Sequence, residues 1–244
     1  MNPSKTRTRE EDKSTVAVLL IFSVLSFLCS CGVSGELLAS GELGDGRTAS
    51  AYGGIYGVRT VIVTDASGDE VCRLSCNVRI SEPFTPDDGE NYGFSVCDLD
   101  FDGVKDIRVM TERSTEGNVY ACFRASADGG FYLDTVLSAL RGPRWNYETG
   151  EAAVCVHEHT DFPSKPDEPP KYTDTVRVTY YAPDAAKGGK FALVREETLT
   201  YYSETEIYCF AVSVPDEDGE LAITDEKWVL PDKLDREGLS DFGW

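Results

Sequence analysis

The sequence predicts an all-β fold: a single antiparallel domain of meander or sandwich type with one short helix. Three features predict it. Apolar and polar residues alternate along short runs rich in Val, Ile, Thr and Tyr. These runs are separated by compact turn signals such as Asp65-Ala66-Ser67-Gly68-Asp69 and Lys187-Gly188-Gly189. Only residues 134–140 read as a helix, with Asp134 as N-cap and Gly142 just past the end.

The chain opens with an address. Lys5, Arg7, Arg9 and Lys13 precede a 13-residue apolar run over residues 16–28. That run suits the core of a signal peptide and is short of the ~20 residues a spanning helix needs. Leu28-Cys29-Ser30-Cys31 follows directly. It resembles a bacterial lipobox, which implies removal of residues 1–30 as a lipoprotein signal peptide and lipidation of Cys31. The expected location is the extracytoplasmic face of a bacterial cell membrane, held there by the lipid anchor; acyl chains add ~0.8 kcal/mol per buried CH2. Residues 31–53, rich in Gly, Ser and Glu, read as a flexible tether.

From residue 54 to residue 244 the pattern is that of the folded domain. Residues 58–64 and 70–76 form a hairpin, and residues 81–92, with Pro83, Pro86 and Gly89, form a loop. Residues 93–97 and 107–111 are short β-rich segments. Residues 118–124 pair with 130–132, and 145–147 with 152–157. Pro163, Pro166, Pro169 and Pro170 make residues 160–174 an exposed loop. Residues 176–181, 191–196 and 208–214 complete a meander, and Trp228, Phe242 and Trp244 belong to an acidic tail that folds back. No clean internal period stands out.

The chemistry concentrates in residues 98–106, Asp-Leu-Asp-Phe-Asp-Gly-Val-Lys-Asp. Acids stand at positions 1, 3, 5 and 9, with Gly103 at position 6. A hard cation such as Ca2+ takes six to eight oxygens at flexible geometry, and alternating carboxylates on a tight loop supply them. The expected ligands are Asp98, Asp100, Asp102 and Asp106, with the carbonyl of Val104. The loop is not an EF-hand: position 12 is Val109 rather than Glu, and the flanks are strands. This DxDxDGxxD loop between two strands resembles the calcium hairpins of FG-GAP and VCBS repeats, which occur in integrin-like β-propellers. With the following "NVYACFRAS" and "FYLDTVLSAL" it is also similar to small bacterial surface lipoproteins. The resemblance spans roughly residues 55–212, with a single copy of the loop. It implies a calcium-stabilised module that presents a surface to an envelope or extracellular protein or glycan partner.

A second chemistry is on offer in Cys155-Val156-His157-Glu158-His159. On a strand these three alternate residues share a face, and thiolate and imidazole are zinc ligands. The competing function is therefore an extracytoplasmic, zinc-dependent hydrolase using His157 and His159, although no further ligand is identifiable. The chain has two histidines in all and no Gly-x-Ser-x-Gly elbow, so a serine triad has little to draw on. No phosphate-cradling glycine-rich loop is present.

The formal net charge is −20. Without residues 1–30, 19 basic residues face 40 acidic ones, a net of −21. Such a chain is repelled by nucleic acid and by anionic head groups and attracts divalent cations. Cys72, Cys76, Cys97, Cys122, Cys155 and Cys209 are either buried thiols or paired in up to three disulfides. Cys72 and Cys76 are not partners, being ~13 Å apart along an extended strand.

Overall fold

A computed structural model describes residues 35–85, 91–239 and 242. The expected signal peptide, residues 1–30, and Cys31 lie outside the described residues. The fold below is that of the unit Glu36–Trp244. It is all-β, with fourteen strands in three antiparallel sheets and no α-helix among the described residues.

The first sheet holds β1 (Glu36–Gly44), β2 (Arg47–Gly54), β3 (Gly57–Thr64) and β4 (Glu70–Ser75) in sequential order. The second holds β5 (Phe94–Cys97), β6 (Asp106–Glu112), β7 (Val119–Ala125) and β8 (Phe131–Leu133). The third runs β14-β13-β12-β11-β10-β9. Its members are β9 (Arg144–Asn146), β10 (Glu151–Phe162), β11 (Lys171–Asp184), β12 (Lys190–Tyr202), β13 (Ile207–Pro215) and β14 (Leu221–Val229).

Period-two alternation assigns the faces. Ile107 and Val109 of β6, with Phe94 and Phe123, pack against Ala49, Ala51, Val58, Val61 and Val63 of the first sheet. The opposite face of the second sheet carries Cys97, Asp106, Cys122 and Arg124. Cys122 packs there with Leu99, Leu137 and Leu140 and, from the third sheet, with Ala152 and Phe191. The second sheet is thus covered on both sides. A further cluster of Leu199, Val229 and Leu239 closes the far end of the third sheet, where Phe242 meets Phe210 edge-on.

Three expectations need correction. The predicted tether is, from Glu36 onward, the hairpin β1–β2 (residues 31–34 lie outside the described residues). Its small residues serve packing rather than flexibility: Ala49 and Ala51 are fully buried, and a Cβ on Gly41 would stand 2.7 Å from Val96 Cγ2 of the second sheet. The loop expected over 160–174 is shorter, because β10 continues to Phe162 and β11 starts at Lys171, leaving the four prolines in between. The helix expected over 134–140 is a single 3-10 turn, Leu137–Ala139. Its N-cap is Val136 rather than Asp134, although Asp134 Oδ1 accepts the amides of Val136 and Leu137 at 3.0 Å each. Leu140 then turns extended, which leads Arg141 into a bridge with Val119 and stops the helix. β14 was not expected at all; it is an edge strand, almost wholly exposed and interrupted by Asp225, Glu226 and Lys227.

Candidate metal centre

The loop 98–105 closes the β5–β6 hairpin, whose last pair is Cys97↔Asp106. Over residues 98–102, acids and apolar residues alternate. Leu99 and Phe101 turn into the cluster shared with the third sheet. Phe101 meets Tyr147 edge-on at 5.5 Å and Phe191 at 6.4 Å. The acids are left to gather. Phe101 reaches its place with φ 63° and Gly103 with φ 85°. Nothing crowds a Cβ at Gly103, so that glycine answers the backbone conformation alone.

One carboxylate oxygen from each of Asp98, Asp100 and Asp106 lies within 4.8 Å of the others, a group able to hold a metal ion. Asp106 is 1% exposed and anchors the loop. Its Oδ2 accepts the amide of Leu99 and its Oδ1 the amide of Ala125 on β7, both at 2.8 Å. Asp98 Oδ2 accepts the Gly103 amide at 2.9 Å. Asp98 Oδ1 and Asp100 Oδ1 are buried with no hydrogen-bond partner. Burial pushes the Asp106 carboxyl up to about 6, the two backbone amides pulling the other way. Burial also raises Asp100, with Arg124 opposing it. Asp106 has amides but no side-chain cation beside it, and burial of its carboxylate favours a positive charge nearby.

One of the four expected carboxylates stands apart. Asp102 is not among the converging carboxylates; its Oδ1 accepts the amide of Val104 at 2.7 Å. Val104 is 42% exposed.

Sequence reasoning missed Arg124. It is 6% exposed, next to last in β7, and pairs with Asp100 through Nη2. Its Nη1 reaches Asp134 Oδ2 at 3.3 Å and the carbonyl of Gly189 at 2.8 Å. The rings of Tyr132 and Phe191 flank the guanidinium at 5.6 and 5.9 Å. An arginine between Phe123 and Ala125 in a strand with buried neighbours must be paired, and that was the available signal.

The three candidate zinc ligands do not assemble. Cys155 Sγ lies 3.6 Å from His157 Nε2. His159 turns elsewhere, its Nδ1 2.5 Å from Asp174 and its Nε2 3.1 Å from Asp161. Those carboxylates raise the His159 pKa and claim both ring nitrogens. Cys155 and His157 border an open groove of about 510 Å3, with Arg141, Thr115 and Glu116 on its other side. Among the described residues, Asp98, Asp100 and Asp106 are where three metal-ligating side chains converge. The thiol of Cys155 is itself raised by burial, away from the thiolate a metal or a nucleophilic mechanism needs.

All six described cysteines are free. Burial pushes Cys76 and Cys122 up to about 12, as expected of small apolar side chains. No known protein-family model matches the chain, and no curated protein matches it either.

Proposed function

We propose that this chain is a calcium-binding β module of the bacterial envelope, lipid-anchored through Cys31 and without catalytic activity, in which the ion is structural. One observation carries the reading: two buried carboxylate oxygens, Oδ1 of Asp98 and Oδ1 of Asp100, have no hydrogen-bond partner and cluster with buried Asp106. Calcium fits better than zinc or magnesium. The donors are all oxygen, and the site sits on an irregular loop rather than a rigid cage. The span of 4.8 Å admits one ion at Ca–O distances of ~2.3–2.6 Å. The ligands are Asp98, Asp100 and Asp106; Asp102 and the Val104 carbonyl complete the set by a local turn of the loop. The resemblance to FG-GAP and VCBS hairpins supports the same ion and a role in presenting a surface to an envelope or extracellular partner. That last step rests on resemblance.

Metal analysis of the purified chain tests the ion: one calcium per chain, released by chelator, supports the proposal, and stoichiometric zinc contradicts it. The anchor is tested separately. Cys31→Ala is expected to move the protein from the membrane fraction to the soluble fraction; a variant that stays in the membrane fraction removes the lipid-anchor reading.

A further inference from the structure

We infer that Arg124 is a positioning residue of the ion site, and that it transmits ion occupancy to the β11–β12 turn. The inference rests on the calcium reading above. Asp100 uses its two oxygens differently. Oδ2 is held by Arg124, while Oδ1 is buried and free. The guanidinium therefore fixes the carboxylate with one oxygen presented, much as outer-shell partners orient metal ligands elsewhere. A planar fork can do this and keep a second grip, which a lysine ammonium cannot.

The second grip lies on another sheet. Arg124 Nη1 donates to the carbonyl of Gly189, and that carbonyl belongs to the turn between β11 and β12. Gly188 and Gly189 both adopt left-handed backbone, with φ of 68° and 76°. The Gly189 amide bonds back to the Asp184 carbonyl at 2.8 Å, so the turn is closed and Arg124 tethers it from outside. Asp134 completes the set: with Asp100 it gives Arg124 two carboxylates, and the three groups together keep a net negative charge. An ion that neutralises Asp100 from the Oδ1 side stiffens this chain of contacts, running from the loop through Arg124 to Gly189.

Calcium titration of the full chain, read with amide hydrogen exchange, tests the inference. In the wild type, calcium slows exchange at Gly188 and Gly189 several-fold. Arg124→Gln lowers calcium affinity by about 10- to 100-fold, and the turn no longer responds. Arg124→Lys keeps the charge next to Asp100 and holds affinity within about tenfold of wild type, again with no response at the turn. Affinity that is unchanged or raised in Arg124→Gln overturns the inference, because Arg124 then merely fills the cation's place. Identical exchange at Gly188 and Gly189 with and without calcium also overturns it, and needs no variant that must fold. A wild type that binds no calcium removes the ion reading and this inference together; one that binds calcium while Arg124→Gln binds it equally well removes the inference alone.

Discussion

Asp106 and Asp98 belong to one cluster but hold it by different means, so they separate folding from binding. Asp106 satisfies two buried amides, those of Leu99 and Ala125. Asp106→Ala leaves both without an acceptor and is expected to cost roughly 2–4 kcal/mol, with or without calcium. Asp98 accepts only the Gly103 amide, near solvent. Asp98→Ala is expected to change stability in chelator by less than about 1 kcal/mol while lowering calcium affinity. Urea denaturation in chelator beside calcium titration checks the pair; equal effects of the two variants in chelator contradict the division. His159 gives the pH dependence. Its folded pKa is raised by Asp174 first and Asp161 next. Its contribution is therefore complete below the ordinary histidine value of 6.5 and is lost as pH rises through the raised folded value. His159→Ala is expected to melt below wild type at pH 5.5 and level with it at pH 9, and added salt shrinks the difference because the group is exposed. At this scale the convergence of Asp98, Asp100 and Asp106 was legible, since their spacing is itself the signal, whereas the local turn that takes up Asp102 was not. Arg124 was not, because its partners Asp134 and Gly189 are 10 and 65 residues away.

Among the elements, β1 and β2 carry the lesson about small residues. Gly and Ser in the sequence suggest a tether, yet the same residues permit close approach between sheets. Gly41 has an ordinary backbone and owes its identity to Val96, 2.7 Å from where a Cβ would stand. Gly41→Ala is expected to destabilise by about 1–3 kcal/mol through overpacking. A flexible tether would tolerate both this change and removal of Glu36–Gly54; here the removal takes Leu43, Ala49 and Ala51 out of the core and is expected to abolish cooperative unfolding. Chemical denaturation of both variants decides it. Strands such as β3, β6, β12 and β13 could be read directly because their runs are rich in β-branched and aromatic residues. β14 hid because an exposed edge strand imposes none, and its charges guard the edge instead. The 3-10 turn after Asp134 had an acceptor for its first amides in the sequence but not its brevity, which is set by the Arg141–Val119 bridge.

For the whole molecule, the second sheet is the keystone. One face is sealed by the first sheet and the other meets the third, with the acidic loop at that second junction. The fold class follows from the sequence, but the partition into three sheets depends on long-range pairing that no local signal carries. Six free cysteines are consistent with cores that need no cross-link. Addition of reductant is therefore expected to leave the melting temperature unchanged, and a drop would mean disulfides form in solution. The net charge of −20 favours divalent cations in general, so specific binding at the loop must be told apart from diffuse attraction. Thermal melting of wild type and Asp100→Asn, with calcium and with chelator, makes that distinction. The account predicts a calcium-dependent rise for the wild type, worth about 2.7 kcal/mol at a hundredfold excess over Kd, and little or none for the variant. Wild type melting at the same temperature in calcium and in chelator, or an equal rise in both proteins, would contradict the assignment of the ion to the Asp98–Asp100–Asp106 cluster.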